Sequence, residues 1–505
     1  MPDDHSTNAP APPDGNGRRQ RRPHVSYAQP GGRGRERLGY DAVATDHRRA
    51  SPSSSLKSED TVLGATDRRK AINRVRELYR SYSVPRWMLN KHLDFVAAVS
   101  FQSRNSSRLK PRTPAAATEL EKLDARIEEL VAWWAKPWNF DIRGRHGLYR
   151  ALRIAEACRV ADGDCFFQKL GTGHTAAIEG DRVRKPGTGR IPPKWSKATW
   201  THGIQLSKKG RPQRYCVCTR GSFDNSFAFD AVIPARYMCH HAWWDFRFDQ
   251  VRGISPFLAS VPELVDAKEA RTYALAKMKV SQLFGLATFR DAPDNLGTTE
   301  GSGEADDEEP FEVDFGKGPF HLDLRPDDKA LFLEANSPGQ PFQDFYKVVI
   351  AGGLKTMDLP YSFWDEAHTN FFGSRAALNL YLKSAGRKRA DVAETADDLV
   401  RWQLAIRYLA GDLVLPRALT IGELQTEWVP SGIPWWNPIQ EVKADILAYD
   451  NHMTTLTDIL RVQGKDFREV VDRKAEEQAY IAEKLGSQAT AADVAEPPEP
   501  NDGDK

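Results

Sequence analysis

From Ile233 to Pro256 the chain passes from an aromatic-rich, strand-like run (IPARYMCHHAWWDF) through a charged turn (RFDQVRG) into a long helical pattern. This corner constrains the fold more than any other stretch. Its core is Asp249, Gln250, Val251, Arg252 and Gly253, followed by Ile254, Ser255 and Pro256. Gly253 is expected to supply a positive φ, Pro256 to set φ in the first helical turn, and Ser255 to cap the helix. Arg252 and Asp249 are placed to clamp the corner as an ion pair. The alternative is that Arg252 reaches a second chain, although charges at corners are more often local. Neither arrangement asks for a substrate, so the stretch reads as a junction.

The order of patterns along the chain extends that reading. Apolar residues recur with helical spacing over Arg69 to Phe101, Thr118 to Trp134 and Gly147 to Val160. Short strand-like runs follow at Cys165 to Phe167, Ala176 to Ile178, Gly203 to Leu206, Arg214 to Thr219 and Ala231 to Tyr237, separated by Gly, Pro and basic turns. Helix resumes over Leu258 to Phe284, with no internal Gly and with Pro262 near its start, spanning ~40 Å at ~1.5 Å per residue. Ala267, Ala270, Ala274 and Met278 form a small-residue stripe along it, and Lys268, Arg271 and Lys279 a basic one. A solvated helix face is the more frequent account of such a basic stripe.

Asp291 to Lys329 holds 13 acidic residues against 3 basic ones, a local balance of −10. Strand-like pieces at Phe311 to Val313, Phe320 to Leu324 and Ala330 to Leu333 accompany this insert, and helix returns over Gln340 to Met357. After Leu359-Pro360-Tyr361 and a loop from Ser362 to Gly373, a helix capped by Ser374 begins at Arg375. Further helices are expected at Ala396 to Leu409 and Ile439 to Arg461.

Lys and Arg total 71 against 69 Asp and Glu, a net charge of +2, which excludes a protein that coats DNA by bulk electrostatics. Five scattered cysteines form no disulfide framework, and a reducing compartment is expected. The opening residues MPDDHSTNAP have no apolar stretch of the signal-peptide kind, and no run approaches the ~18 apolar residues of a membrane span, so a soluble protein is expected.

The patterns that could carry chemistry are weaker. Cys216 and Cys218 with Cys239, His240 and His241 make a zinc candidate, but the spacing lacks the usual two-residue knuckle and the neighbours are core-like, so buried free thiols are the expectation. Glu179 and Asp181 alternate on one run, which by itself gives no acid, base or metal geometry. No Gly-x-x-x-x-Gly-Lys-[Ser/Thr] motif is present to cradle a nucleotide. The pairs Trp133-Trp134, Trp243-Trp244 and Trp435-Trp436 sit among apolar or Pro-rich residues, and core or interface positions are expected for them rather than base stacking.

Taken together, the motifs resemble the lambda family of phage portal proteins over roughly residues 70 to 475. The Asp249 to Pro256 stretch resembles the family's Gln-x-Arg-Gly-x-Pro turn. Ile178-Glu179-Gly180-Asp181-Arg182 is similar to its Ile-Glu-x-Asp-Arg strand, and Gly210-Arg211-Pro212-Gln213-Arg214-Tyr215 to its Gly-Arg-Pro-x-x-Tyr turn. Leu359-Pro360-Tyr361, the Ser374-Arg375 helix start, Trp436-x-Pro438 and Gly464-Lys465-Asp466 follow in family order. The chain departs from the pattern in its acidic insert, at Gly373 and at Asn451-His452-Met453-Thr454.

The resemblance implies an α+β portal fold with wing, long-helix stem, small β-containing clip and helical crown. On that plan residues 1–70 are a flexible basic arm, 71–257 the wing and 258–285 the first stem helix, and only on this resemblance are Lys268, Arg271 and Lys279 candidate channel-facing positions. Residues 286–338 are the acidic clip insert, 339–360 the second stem helix, 361–373 the channel loop, 374–485 wing and crown helices, and 486–505 a disordered acidic tail. It further implies a closed, usually dodecameric ring of identical chains, with double-stranded viral DNA passing through the channel. The expected partners are the terminase large subunit, head-completion or adaptor proteins, and the major capsid or scaffolding protein, with no cofactor and no membrane. The chain would assemble in the bacterial host cytoplasm and reside at the portal vertex of the virion. A metal-dependent nuclease, drawn from the Cys/His cluster and the basic arm, is the alternative.

Overall fold

The structure is a computed structural model. It describes residues 57–485 apart from 112, 186–191, 193–194, 196–197, 222–225, 245–246, 284–285, 291–327, 333–338, 366–370, 418 and 433–436. Single helical turns aside, the chain runs α1 (Ala65–Ser81), α2 (Ser83–Val96), β1 (Val99–Ser103), α3 (Pro114–Trp134), α4 (Leu148–Asp162), β2 (Asp164–Lys169), β3 (Thr175–Glu179), β4 (Ile204–Leu206), β5 (Pro212–Arg220), β6 (Phe227–Pro234), β7 (Met238–Ala242) and α5 (Val261–Leu283). It continues through β8 (Leu286–Arg290), β9 (Asp328–Phe332), α6 (Gln340–Lys355), α7 (Phe371–Ala410), β10 (Thr426–Pro430), α8 (Pro438–Asp450), α9 (Leu456–Val462) and α10 (Phe467–Leu485). The fold is α+β. Among the described residues no helix is long and apolar enough to cross a membrane.

Among the described residues four small antiparallel sheets punctuate the helices. One has the order β3-β2-β7, a second β4-β5-β6, and β1-β10 and β8-β9 are two-stranded. β2 is the centre of the first sheet and is buried along almost its whole length, because α4 packs on it while α7 packs on its neighbour β7. The second sheet has its own core under Phe166, Ile178, Ile204, Tyr215 and Val217. A larger core gathers the inward stripes of α1 to α4, the start of α5, α6 and α7.

Several expected elements differ. The stretch from Arg69 to Phe101 is two helices and a strand, broken where Tyr82 is extended (φ −138°, ψ 127°); Pro85 then sits in the first turn of α2, where a missing N–H costs little. Val99 to Ser103 leaves the helix to pair with Thr426–Pro430, and its alternating burial follows the strand period. The expected helix from Leu258 to Phe284 is a 3₁₀ turn, Pro256–Ser260, followed by α5, and Ser255 caps the former through Phe257 N–H at 3.2 Å. Met238–Ala242 is a strand of its own beyond the expected Ala231 to Tyr237 run. Two expected helices near Ser374 and Ala396 are one helix, α7, which begins at Phe371 and leaves Ser374 in its first turn rather than at its cap. The expected helix from Ile439 to Arg461 is divided at Asn451 to Thr455, where His452 has φ +58°.

α5 and α6 pack together, with Gly353 against Leu264 closely enough that a Cβ there would meet Leu264 Cδ2 at 3.1 Å. The β8–β9 pair lies between them in sequence and accounts for the expected strand at Ala330 to Leu333. The acidic stretch 291–327, with the expected strands at Phe311 to Val313 and Phe320 to Leu324, lies outside the described residues.

Candidate functional site

The corner expected from Asp249 to Pro256 is built around a buried arginine. Arg252 is 2% exposed, and all five of its N–H donors are used. Nε donates to Asp164 Oδ2 at 2.5 Å and Nη2 to Asp164 Oδ1 at 2.8 Å, a bidentate pair. The rest go to backbone carbonyls: Nη1 to Val183 at 2.7 Å and His202 at 2.8 Å, and Nη2 to Gly180 at 2.6 Å. The clamp is therefore intrachain, but its partner is Asp164 on β2. Asp249, the expected partner, is exposed at the outside of the turn.

Asp164 is fully buried and also accepts from Gly253 N–H at 3.2 Å, with His240 Nε2 at 3.3 Å and Arg68 Nη2 at 3.3 Å. Burial works to raise its pKa, but the charges of Arg252 and Arg68 overcome that and hold the carboxyl well below the usual range. Gln250, also buried, donates from Nε2 to the carbonyls of Arg252 at 2.8 Å and Trp243 at 3.2 Å, and so fastens the turn to the end of β7. Ser255 Oγ donates to Val160 O at 2.7 Å on α4.

Gly253 is required for a different reason from the expected one. It has no positive φ; instead a Cβ would lie 2.0 Å from Gly163 O and 2.8 Å from Trp243 N. Gly163, which does have φ +95°, ends α4 and faces it, and a Cβ there would meet Gly253 O at 2.4 Å. The two glycines let the corner lie against the α4–β2 turn. Gly253→Ala is expected to cost about 2–3 kcal/mol, because backbone rather than a side chain must yield. A urea midpoint equal to that of the unaltered protein would contradict it.

A second buried network lies behind the first. Glu156 on α4 is fully buried; Arg159 donates to it from Nε at 2.6 Å and Nη2 at 2.9 Å, and reaches Asp391 of α7 from Nη1 at 2.8 Å. His92 Nε2 lies 2.5 Å and His241 Nε2 3.0 Å from the same carboxylate, and His241 Nδ1 is 2.8 Å from Thr395 Oγ. Burial lowers the pKa of both histidines. The neutral rings then donate from Nε2 to the carboxylate, and Thr395 donates to His241 Nδ1. The Arg159 guanidinium also lies 4.4 Å above the Trp243 ring.

The remaining expected residues are dispersed. On α5, Lys268 is half-buried, Arg271 and Lys279 are exposed, and Arg271 lies 5.5 Å from the Tyr82 ring; Ala267 of the small-residue stripe is fully buried. Arg375 of α7 pairs with Glu441 of α8. Cys216 and Cys218 lie on β5, whereas Cys239, His240 and His241 lie on β7 of the other sheet. Glu179 and Asp181 are engaged by Arg220 at 2.8 and 2.5 Å and by Arg76 at 3.7 Å each. Trp134 and Trp243 are buried and Trp133 and Trp244 partly exposed; Trp435 and Trp436 lie outside the described residues.

Asp164, Arg68, Glu156 and Arg159 were not singled out by sequence reasoning. Charged residues inside apolar runs such as Ala-Asp-Gly-Asp-Cys-Phe-Phe were the available signal.

A family model described as "Phage portal protein, lambda family" matches residues 46–385. No curated protein matches the chain significantly. Solved structures with a similar outline include a chain of the virion of a native gene transfer agent particle, 11% identical at a TM-score of 0.46 over 78% of this chain and 93% of that one. Others are chains from the neck of an empty gene transfer agent particle (12% identity, TM-score 0.44, 78% and 93%) and of a native one (12%, 0.40, 77% and 93%).

Proposed function

The chain belongs to the lambda family of phage portal proteins, and on that premise we propose that it works as one segment of a closed DNA-conducting ring at a unique capsid vertex. The ring is dodecameric, and viral DNA is packaged and later ejected through it. The observation that carries the mechanical part is the corner at Arg252. It joins the β3-β2-β7 sheet to α5 through a fully satisfied buried ion pair, so force on the long helix is delivered to a sheet core.

In this reading the region before the corner is the wing, α5 and α6 are the stem helices, and the β8–β9 pair with the acidic insert is the clip. The channel loop falls between α6 and α7, ending before Phe371 rather than at Gly373, and α7 to α10 complete wing and crown. DNA slides without sticking where its phosphates meet few fixed cations, since a continuous basic groove would hold them through counterion release. A net charge of +2 suits that task. The −10 insert would steer basic partners among the terminase and head-completion proteins. Assembly takes place in the host cytoplasm, with the major capsid or scaffolding protein as a further partner.

The role is structural rather than enzymatic. The nuclease alternative gains nothing from Glu179 and Asp181, whose carboxylates are held by Arg76 and Arg220. Negative-stain images of the purified chain should show rings, and monomers at every concentration would overturn the reading. Joint replacement of Lys268, Arg271 and Lys279 by Ser should leave rings intact and lower the DNA packaged per particle. Unchanged packaging would make that stripe a solvated face.

A further inference from the structure

A cleft of about 400 Å³ opens beside the corner, between α1 and the segment following β3. Its walls include Arg68, Arg69, Arg184, Lys185 and Trp200, with Asp181 as the one carboxylate, and Arg252 contributes from the corner. The Arg68 side chain is only 9% exposed, yet its Nη2 forms no hydrogen bond among the described residues. The nearest carboxylate oxygen, Asp164 Oδ1 at 3.3 Å, is already engaged by Arg252. Burial draws the Arg68 pKa down to about 10, and burial followed by the charge of Arg69 lowers that of Arg184. Arg69 and Lys185 are exposed and form no ion pair among the described residues. Cations crowded in this way oppose one another unless an anion joins them.

A second cleft of about 400 Å³ shares Arg69, Arg184 and Asp181 and adds Lys70, Arg76 and Arg220. Arg76 and Arg220 are already taken up by Asp162, Glu179 and Asp181, and Arg68 shares Asp164 with Arg252. Among the described residues the cations without a carboxylate of their own are therefore Arg68, Arg69, Lys185 and Arg184, the last lying 4.3 Å over the Phe227 ring. A carboxylate offers two oxygens to three guanidiniums, whereas a phosphate offers more acceptors around a tetrahedral centre and matches the planar forks of arginine. We propose that the first cleft is a phosphate site, in which Arg68, Arg69 and Arg184 hold the oxyanion of free phosphate or of a nucleic-acid backbone. The site depends on the subunit fold alone and not on ring formation.

Calorimetry of the full chain with inorganic phosphate tests it, alongside fluorescence anisotropy with a short duplex DNA. The unaltered protein should bind phosphate, and the Arg69→Ser/Arg184→Ser variant should bind it ~10-fold or more weakly. Its melting temperature in phosphate-free buffer should be unchanged or higher, since removing two cations relieves repulsion. Loss of duplex binding in the same variant identifies a backbone phosphate as the source, and unaltered duplex binding identifies free phosphate. Absence of phosphate binding, or equal binding by the variant, overturns the site. Images of the variant still forming rings would leave the portal reading standing in either case.

Discussion

Asp164→Asn is expected to destabilise the subunit by about 3–5 kcal/mol, the cost of leaving a buried cation without its counter-charge. The amide keeps the shape but offers one oxygen, and its NH₂ would face donors from Arg252 and Gly253 and the nearby Arg68 cation. The loss should appear as a lower urea midpoint at unchanged slope. Removing Arg252 as well should cost less than the two single changes together, although the carbonyls of Gly180, Val183 and His202 then lose their donor. A cost below about 1 kcal/mol would mean that water reaches the pair. Because the carboxyl is held far below its ordinary value, its contribution is complete above about pH 4 and is lost progressively as the pH falls further. Arg252 has no donor left for a neighbouring chain, so its replacement acts on subunit folding before ring assembly.

Glu156→Gln should cost a similar amount, about 3–5 kcal/mol, since Arg159 would retain only the half-exposed Asp391. The surroundings of Glu156 predict a pH dependence as well. Burial works to raise its pKa, but Arg159 and the two histidines hold it well below the usual carboxylate range. His92, His240 and His241 are each pushed down by burial, so they take up a proton at a lower pH in the native state than in the unfolded chain. As the pH falls through about 6.5 the unfolded chain takes up protons at these positions ahead of the native one. Stability therefore falls as the pH drops from about 6.5, by up to about 1.4 kcal/mol per unit for each histidine. Urea midpoints at pH 7.5 and 5.5 measure it, and equal values would show that the rings are charged inside the fold.

The corner was legible because its chemistry is local: Ser255, Pro256 and an adjacent glycine write a turn into any chain. Its partners were not. Asp164 precedes Arg252 by 88 residues, and nothing in the periodicity of β2 says that an aspartate at its first position will be the counter-ion. Asp249 was the nearer acid and the natural expectation, yet it points outward. The same limit hid β1, since Val99 to Ser103 becomes a strand only by pairing with Thr426 to Pro430. It also hid the length of α7, whose Gly386 and polar stretches break the pattern while other elements cover its apolar face.

By itself the sequence determined the α+β class, the succession of helices, small sheets, corner and paired long helices, the near-neutral charge and the family. All of these rest on residues close together along the chain, where backbone preference and side-chain period act directly. Tertiary structure alone decided that Gly253 serves a close approach to Gly163 rather than a positive φ, that Arg252 is spent on Asp164 and three carbonyls, and that Glu156 gathers an arginine and two histidines from three elements. Burial explains the difference. A charge inside the fold must find its partner wherever packing brings one within about 3 Å, and packing takes no account of distance along the chain.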